Sequence, residues 1–317
     1  MKKFFQLKFI REFTEKFPFR QGQGERLAGN YLLKILNSYF LPFKIFTFKT
    51  YLPRYKKYYL LADDKKILAK PCCFYGGVIN DKENIVSSLI SSQKFIDTPN
   101  FNFNPKSKDI SLSNFYFAPS LACSRKEICK VLKATKVRGY VKVDKYEHQS
   151  FHILVGNLRA PRVICFAHYD SIEKGATDNA SGVAALLDIV IGHNDLLKEN
   201  LFVFAANEEL SYDFPVYWGH GFRVFEKKFY QAMNKAKKII VVDCVGNGPA
   251  NIITDLATVK LGFPIKHLNK WQKKIFFLSG DFAKLMSVYH SPLDDYRQLR
   301  KKFLDNAKAV LLANIKN

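Results

Sequence analysis

No pair of cysteines in this chain has the C-x-x-C spacing of a structural zinc site or a redox motif. The six cysteines are Cys72, Cys73, Cys123, Cys129, Cys165 and Cys244. Cys165 lies in an apolar run and is expected to be a buried thiol. Cys123 and Cys129 are close enough in sequence to pair, but free thiols are the expectation for a cytoplasmic chain. No apolar run is long enough to span a bilayer, so no membrane segment is expected. The opening residues, MKKFFQLKFIREFTEKF, break their apolar stretch with charge and offer no small-residue cleavage site. They predict an amphipathic helix rather than a secretion signal, and with it a cytoplasmic protein. Repeats and low-complexity segments are absent as well. Acidic residues are few, 28 against 50 basic ones, for a formal net charge of +22. The basic residues are nevertheless spread from Lys2 to Lys316 in doublets such as Lys56-Lys57, Lys227-Lys228 and Lys301-Lys302. Without a long basic tract or a nucleic-acid motif, this reads as a solvated basic surface, and nucleic acid is not the expected partner.

What is present is enough apolar material, 48% of 317 residues, for one large domain or a domain carrying an insert. Helical periodicity runs over 4–17 and 24–39, the second after the turn around Gly22 and Gly24, and 43–51 reads as a strand. Between 52 and 147 the texture changes to short β pieces at 58–61, 67–69, 115–117 and 140–143. One helix at 124–134, with Ser124 as its cap, lies among them. From 152 onward, apolar strands at 153–155, 163–167, 201–206, 239–242 and 275–278 alternate with helices at 182–191, 222–237 and 303–315. The pattern predicts an α/β fold with a mixed, mostly parallel central sheet flanked by helices. It divides the chain into a catalytic domain, 1–51 with 148–317, and an inserted, mainly β subdomain, 52–147.

Seven residues carry the chemistry: His168, Asp170, Asp178, Glu208, Glu209, Asp243 and His290. Most follow apolar strands directly, where the functional loops of a parallel sheet lie. Two imidazoles and three carboxylates can build a pair of metal sites sharing one carboxylate, the arrangement that two-metal hydrolysis requires. Asp178, before Asn179-Ala180-Ser181-Gly182 at a helix entrance, is the best bridge. Asp170, two residues from His168 on an extended strand end, can set that histidine's tautomer. Asp243 can complete the first metal site, and Glu209 with His290 the second. Glu208 then stands beside a ligand, free to move a proton. Each motif alone is ordinary: His168 as a core histidine, Asp243 as a cap, Glu208-Glu209 as a solvated face, His290-Ser291-Pro292 as a surface turn. Those readings must all hold together to remove the site, and Glu208-Glu209 follows the apolar run Leu201-Phe202-Val203-Phe204-Ala205-Ala206, which argues against a solvated face.

The ordered set resembles the co-catalytic zinc aminopeptidases of peptidase family M28. The likeness is closest at Ala167-His168-Tyr169-Asp170-Ser171 and from Gly175 through Asp178-Asn179-Ala180-Ser181-Gly182 to Leu187. Glu208-Glu209, Asp243 and Tyr289-His290-Ser291-Pro292-Leu293-Asp294 also fit, so it covers about 152–317. The resemblance implies a zinc exopeptidase fold with two zinc ions per chain. His168 and Asp243 would hold one ion and Glu209 and His290 the other, with Asp178 bridging, Glu208 as general base and Asp170 behind His168. It implies a peptide substrate and an aminopeptidase. A carboxypeptidase, a glutaminyl cyclase or a non-catalytic binding homologue are the alternatives on the same fold. Residues 117–125 are similar to the last strand and turn of a protease-associated domain. The segment after Glu209, Leu210-Ser211-Tyr212-Asp213-Phe214-Pro215, departs from the family by lacking a Gly-Ser motif, and the stretch before His290 is compressed. The loop 211–221, with Tyr212, Phe214, Tyr217 and Trp218, is expected either to line an apolar side-chain pocket or to pack on the sheet.

Overall fold

The structure, a computed structural model, describes residues 4–80, 84–88, 97–213 and 216–317. Two amphipathic helices, α1 (Gln6–Lys16) and α2 (Gln23–Ser38), lead into the long strand β1 (Lys44–Ala62). Six short strands follow: β2 (Lys65–Ile67), β3 (Ala69–Pro71), β4 (Gly77–Ile79), β5 (Ile85–Ser87), β6 (Asn100–Phe103) and β7 (Ser120–Cys123). Helix α3 (Arg125–Lys133), whose Glu127 N–H donates to the Ser124 cap as expected, then feeds the second long strand, β8 (Val137–Gly156). The remainder alternates: β9 (Val163–His168), α4 (Ser181–Gly192), β10 (Leu201–Ala205), α5 (His220–Lys235), β11 (Lys238–Val242) and β12 (Asn251–Ile253). The chain ends with α6 (Leu256–Gly262), α7 (Leu268–Trp271), β13 (Ile275–Ser279), α8 (Phe282–Met286) and α9 (Lys301–Lys316).

Strands β9, β10 and β11 are apolar along almost their whole length because both of their faces are covered. They pair in parallel as β10-β9-β11-β13, while β8, β1, β2 and β12 extend this centre antiparallel on both sides. The expected mixed α/β fold is therefore present, with parallel pairing in this sheet confined to its four central strands. One face packs on α1, α2, α4 and α9 through Phe13, Leu32, Leu186 and Leu311. The other packs on α5, α6 and α7 through Phe225, Val259 and Trp271. Helix α4 is buried on nearly every side, which is why its sequence, SGVAALLDIVIG, shows so little amphipathic contrast.

The pieces expected at 58–61 and 140–143 are not separate strands. They are the outer ends of β1 and β8, which stay paired from Lys44↔Leu154 to Ala62↔Val137. Pro53 disguises this continuity, yet β1 tolerates it opposite Lys145, where β1 is paired on one side only. The expected strand at 115–117 is likewise absent; Tyr116 forms a single bridge to Cys73. A four-stranded sheet, β3-β7-β6-β5, and α3 pack on the outer ribbon around Leu60, Phe101, Leu121, Val131 and Val141. All six cysteines are free, and Cys165 is fully buried as expected. Among the described residues no helix is long and apolar enough to cross a membrane.

Candidate metal centre

All seven residues singled out in the sequence converge at the carboxyl ends of the parallel strands. His168 is the last residue of β9, Glu208 and Glu209 stand just beyond β10, and Asp243 follows β11. Asp178 lies in the turn that enters α4, and His290 in the loop after α8. His168, Asp170, Asp178, Glu208, Glu209 and His290 are buried, and Asp243 nearly so.

The two imidazoles face one carboxylate from opposite sides. His168 Nε2 lies 3.2 Å from Asp178 Oδ1 and 3.4 Å from Asp243 Oδ1. His290 Nε2 lies 3.4 Å from Asp178 Oδ2 and 2.8 Å from Glu209 Oε2. Asp178 thus offers one oxygen to each histidine. The opposite ring nitrogens are both committed as donors. His168 Nδ1 is 3.2 Å from the Asp170 carbonyl oxygen, and His290 Nδ1 is 3.1 Å from that of Leu112. A carbonyl only accepts, so in the neutral rings each Nε2 carries a lone pair aimed at carboxylate oxygens. His290 Nε2 and Glu209 Oε1 are buried without a hydrogen bond. Lone pairs facing lone pairs in a buried cluster of acids call for cations between them, and the nitrogen and oxygen donors suit zinc.

The electrostatics agree. Burial alone would lower the basicity of both histidines, but the carboxylates around them outweigh it and hold both imidazolium forms far above their ordinary range. Burial would likewise raise Asp178, but His168 and His290 hold it strongly ionised. Glu208 and Glu209 are pushed up, chiefly by burial and then by the neighbouring carboxylates against the pull of the histidines. The Glu208 carboxylate takes no hydrogen bond among the described residues. It is the one acid of the cluster left free to handle a proton.

Asp170 does more than was expected of it. Its carboxylate is 3.7 Å from His168 Nδ1, so its own carbonyl is the nearer partner of that ring. Its two oxygens instead accept from the backbone N–H groups of Glu208 (3.1 Å) and Glu209 (3.0 Å), which aims both glutamates.

Four supporting residues were given no role by the sequence reading. Asp294 accepts from the Thr177 and Asp178 N–H groups at 2.9 and 3.0 Å, and burial raises its carboxyl to about 6. Arg20, fully buried, donates to the carbonyls of Phe17, Tyr169, Lys174 and Gly175, tying down the chain between His168 and Asp178. Glu25, also buried, accepts from the Asn207 N–H at 2.9 Å, next to Glu208. Tyr289 stacks on the His290 ring with centroids 3.7 Å apart. The Asp294 motif was visible, but nothing local distinguishes Arg20 or Glu25 from a turn or helix-surface charge.

Tyr212, Tyr217 and Trp218, after Glu209, are each tied to a neighbouring segment. Tyr212 Oη donates to the Phe74 carbonyl, Tyr217 Oη accepts from the Phe115 N–H, and Trp218 Nε1 donates to the Leu261 carbonyl. With Phe74, Phe115 and Leu210 they weld this loop to the segment 110–117. Phe214 lies outside the described residues.

Residues 152–256 match the sequence model described as peptidase family M28. The M28 segment contains six of the seven site residues; His290 lies beyond it. Solved structures share the whole fold at low identity. BSAP, a zinc aminopeptidase from Bacillus subtilis, is 15% identical with a TM-score of 0.70, over 98% of this chain and 93% of its own. An aminopeptidase from Aneurinibacillus sp. strain AM-1 is 14% identical with a TM-score of 0.59, over 97% and 93%. A glutaminyl cyclase from an Acidobacteriales bacterium is 12% identical with a TM-score of 0.54, over 98% and 92%. A search of the curated proteins finds no match. At these identities the structural likeness establishes the fold alone, and the match to the M28 family model is confined to residues 152–256.

Proposed function

We propose that the protein is a zinc-dependent exopeptidase, an aminopeptidase that removes N-terminal residues from peptides. The observation that carries this reading is the pair of Nε2 atoms, on His168 and His290, aimed at the two oxygens of Asp178. In this reading His168 and Asp243 would hold one zinc, Glu209 and His290 the other, and Asp178 would be shared by both. When bound, such a pair supplies Lewis acidity that polarises a scissile carbonyl and acidifies a water.

The chain's own residues do the rest. Glu208 takes the proton from the attacking water and returns it to the leaving amine; its burial raises its proton affinity above that of an ordinary carboxylate. Asp170 holds Glu208 and Glu209 in register through their backbone N–H groups. Asp294 and Arg20 keep the bridging turn in place. The catalytic unit is assigned to 1–51 with 148–317, and 52–147 to the insert. Six free thiols fit a reducing, cytoplasmic setting.

The test pairs metal analysis with a panel of peptides carrying free or acetylated amino termini. Two zinc ions per chain and cleavage only of the free peptides are expected. Equal cleavage of blocked peptides, or release from the carboxyl end, would overturn the aminopeptidase assignment. Because a glutaminyl cyclase shares the fold, the panel includes a peptide beginning with glutamine. Loss of ammonia without peptide cleavage would identify that second chemistry.

A further inference from the structure

His290 is held differently from the other metal-ligand candidates. His168, Glu209 and Asp243 sit at the ends of parallel strands, and Asp178 is clamped by Asp294. His290 follows a loop in which only the short α8 is regular, and its φ of 47° is a left-handed conformation unfavourable for a non-glycine residue. Such a conformation persists only where its neighbours hold it.

The neighbours come from far away in the chain. Asn104 Nδ2 donates to the Met286 carbonyl at 2.8 Å, and Ser111 Oγ donates to the Tyr289 carbonyl at 2.7 Å. The Leu112 N–H donates to the His290 carbonyl at 2.9 Å, and His290 Nδ1 donates to the Leu112 carbonyl at 3.1 Å. Asn104 also donates to Ser111 Oγ at 3.3 Å, so the two side chains form one unit. Asn104, Ser111 and Leu112 are all buried. Both the backbone of His290 and the tautomer of its ring are therefore set by the insert.

We propose that the segment from Asn104 to Leu112 is a working part of the metal centre, and that Asn104 and Ser111 are positioning residues for the metal held by His290. The inference rests on the reading of His290 as a ligand. Partners of ligand side chains commonly set metal affinity by 10–100-fold. Loosening the seam should therefore weaken the ion on the His290 side and spare the ion on the His168 side.

Chelator competition on the full chain, with zinc alone as the probe, resolves the two affinities. His290→Ala marks which ion belongs to that side. Ser111→Ala and Asn104→Ala, two independent variants, are each expected to weaken the same ion about tenfold or more. Ser111→Thr, which keeps the hydroxyl, should restore it. Tyr217→Phe loosens the insert at a different contact, the Phe115 N–H, and should leave both affinities alone. Equal weakening of both ions, or no change in either variant, overturns the proposal. If the parent protein binds fewer than two ions, the two-metal reading fails first and takes the proposal with it.

Discussion

Asp178 shows how much one side chain can be asked to do at the residue scale. Its two oxygens point at two histidines, and its backbone N–H is spent on Asp294. Glu208 contrasts with it, buried and without a hydrogen bond to its carboxylate among the described residues. Substituting these two should separate binding from proton transfer. Glu208→Gln keeps the shape and removes the base, so turnover should fall about 10²–10⁴-fold while zinc content stays at the parent level. Asp178→Asn should weaken both metal positions at once. Near-parental turnover of Glu208→Gln, measured on the zinc-loaded protein, would sink its assignment as the base. Glu208 was legible because a carboxylate pair just after an apolar run is unusual, and Asp178 because it stands before Asn179-Ala180-Ser181-Gly182 at a helix entrance. Arg20 and Glu25 were not, since a charge near a helix start is common and their partners lie far off in sequence.

At the scale of elements, α4 is pressed directly beneath the centre. Its Gly182 N–H donates to Asn179 Oδ1, and Asn179 Nδ2 donates to the Val242 carbonyl next to Asp243. A Cβ on Gly182 would meet the Val242 carbonyl oxygen at 2.6 Å and crowd Asn179 as well. Gly182→Ala should thus push α4 off β11, costing about 1–3 kcal/mol as overpacking does. Thermal unfolding of the metal-free protein measures that loss directly, and an unchanged Tm would show that the helix gives way freely. The glycine was visible in the sequence as part of a motif; its reason, contact with a strand end about sixty residues later, was not. The long β1–β8 ribbon was misjudged for a related cause. Lys56, Lys57 and Tyr58 are all exposed and the register shifts between Tyr55 and Lys57, so the alternation breaks there and the outer half read as separate fragments.

For the molecule as a whole, acid stability has an identifiable contributor in His152. It is fully buried, accepts from the Ala206 N–H at Nδ1 and donates from Nε2 to the Gly221 carbonyl. Burial lowers it from 6.5 to about 4. Because the folded value lies below the unfolded one, its neutral form stabilises the fold above pH 6.5. That stability is lost as pH falls from about 6.5 towards 4, amounting to about 3 kcal/mol at the low end. Asp294, raised to about 6, acts in the opposite sense over part of that window. The comparison must therefore be made against a variant. Denaturant unfolding of His152→Gln should depend less steeply on pH between 6.5 and 4 than the parent, and parallel curves would remove His152 from the account.

The sequence by itself determined the order and identity of the metal-binding candidates, the parallel strands that carry most of them, and the M28 resemblance. Those signals are local, because a strand buried on both faces must be apolar throughout and a ligand placed at its end interrupts it abruptly. Only the tertiary structure decided what holds each ligand. Leu112 meets His290 through backbone atoms that every residue possesses, across 178 positions of chain. Arg20 reaches four carbonyls in the same anonymous way. Backbone donors and acceptors leave no mark on residue choice, so contacts made through them become visible only when the chain is folded.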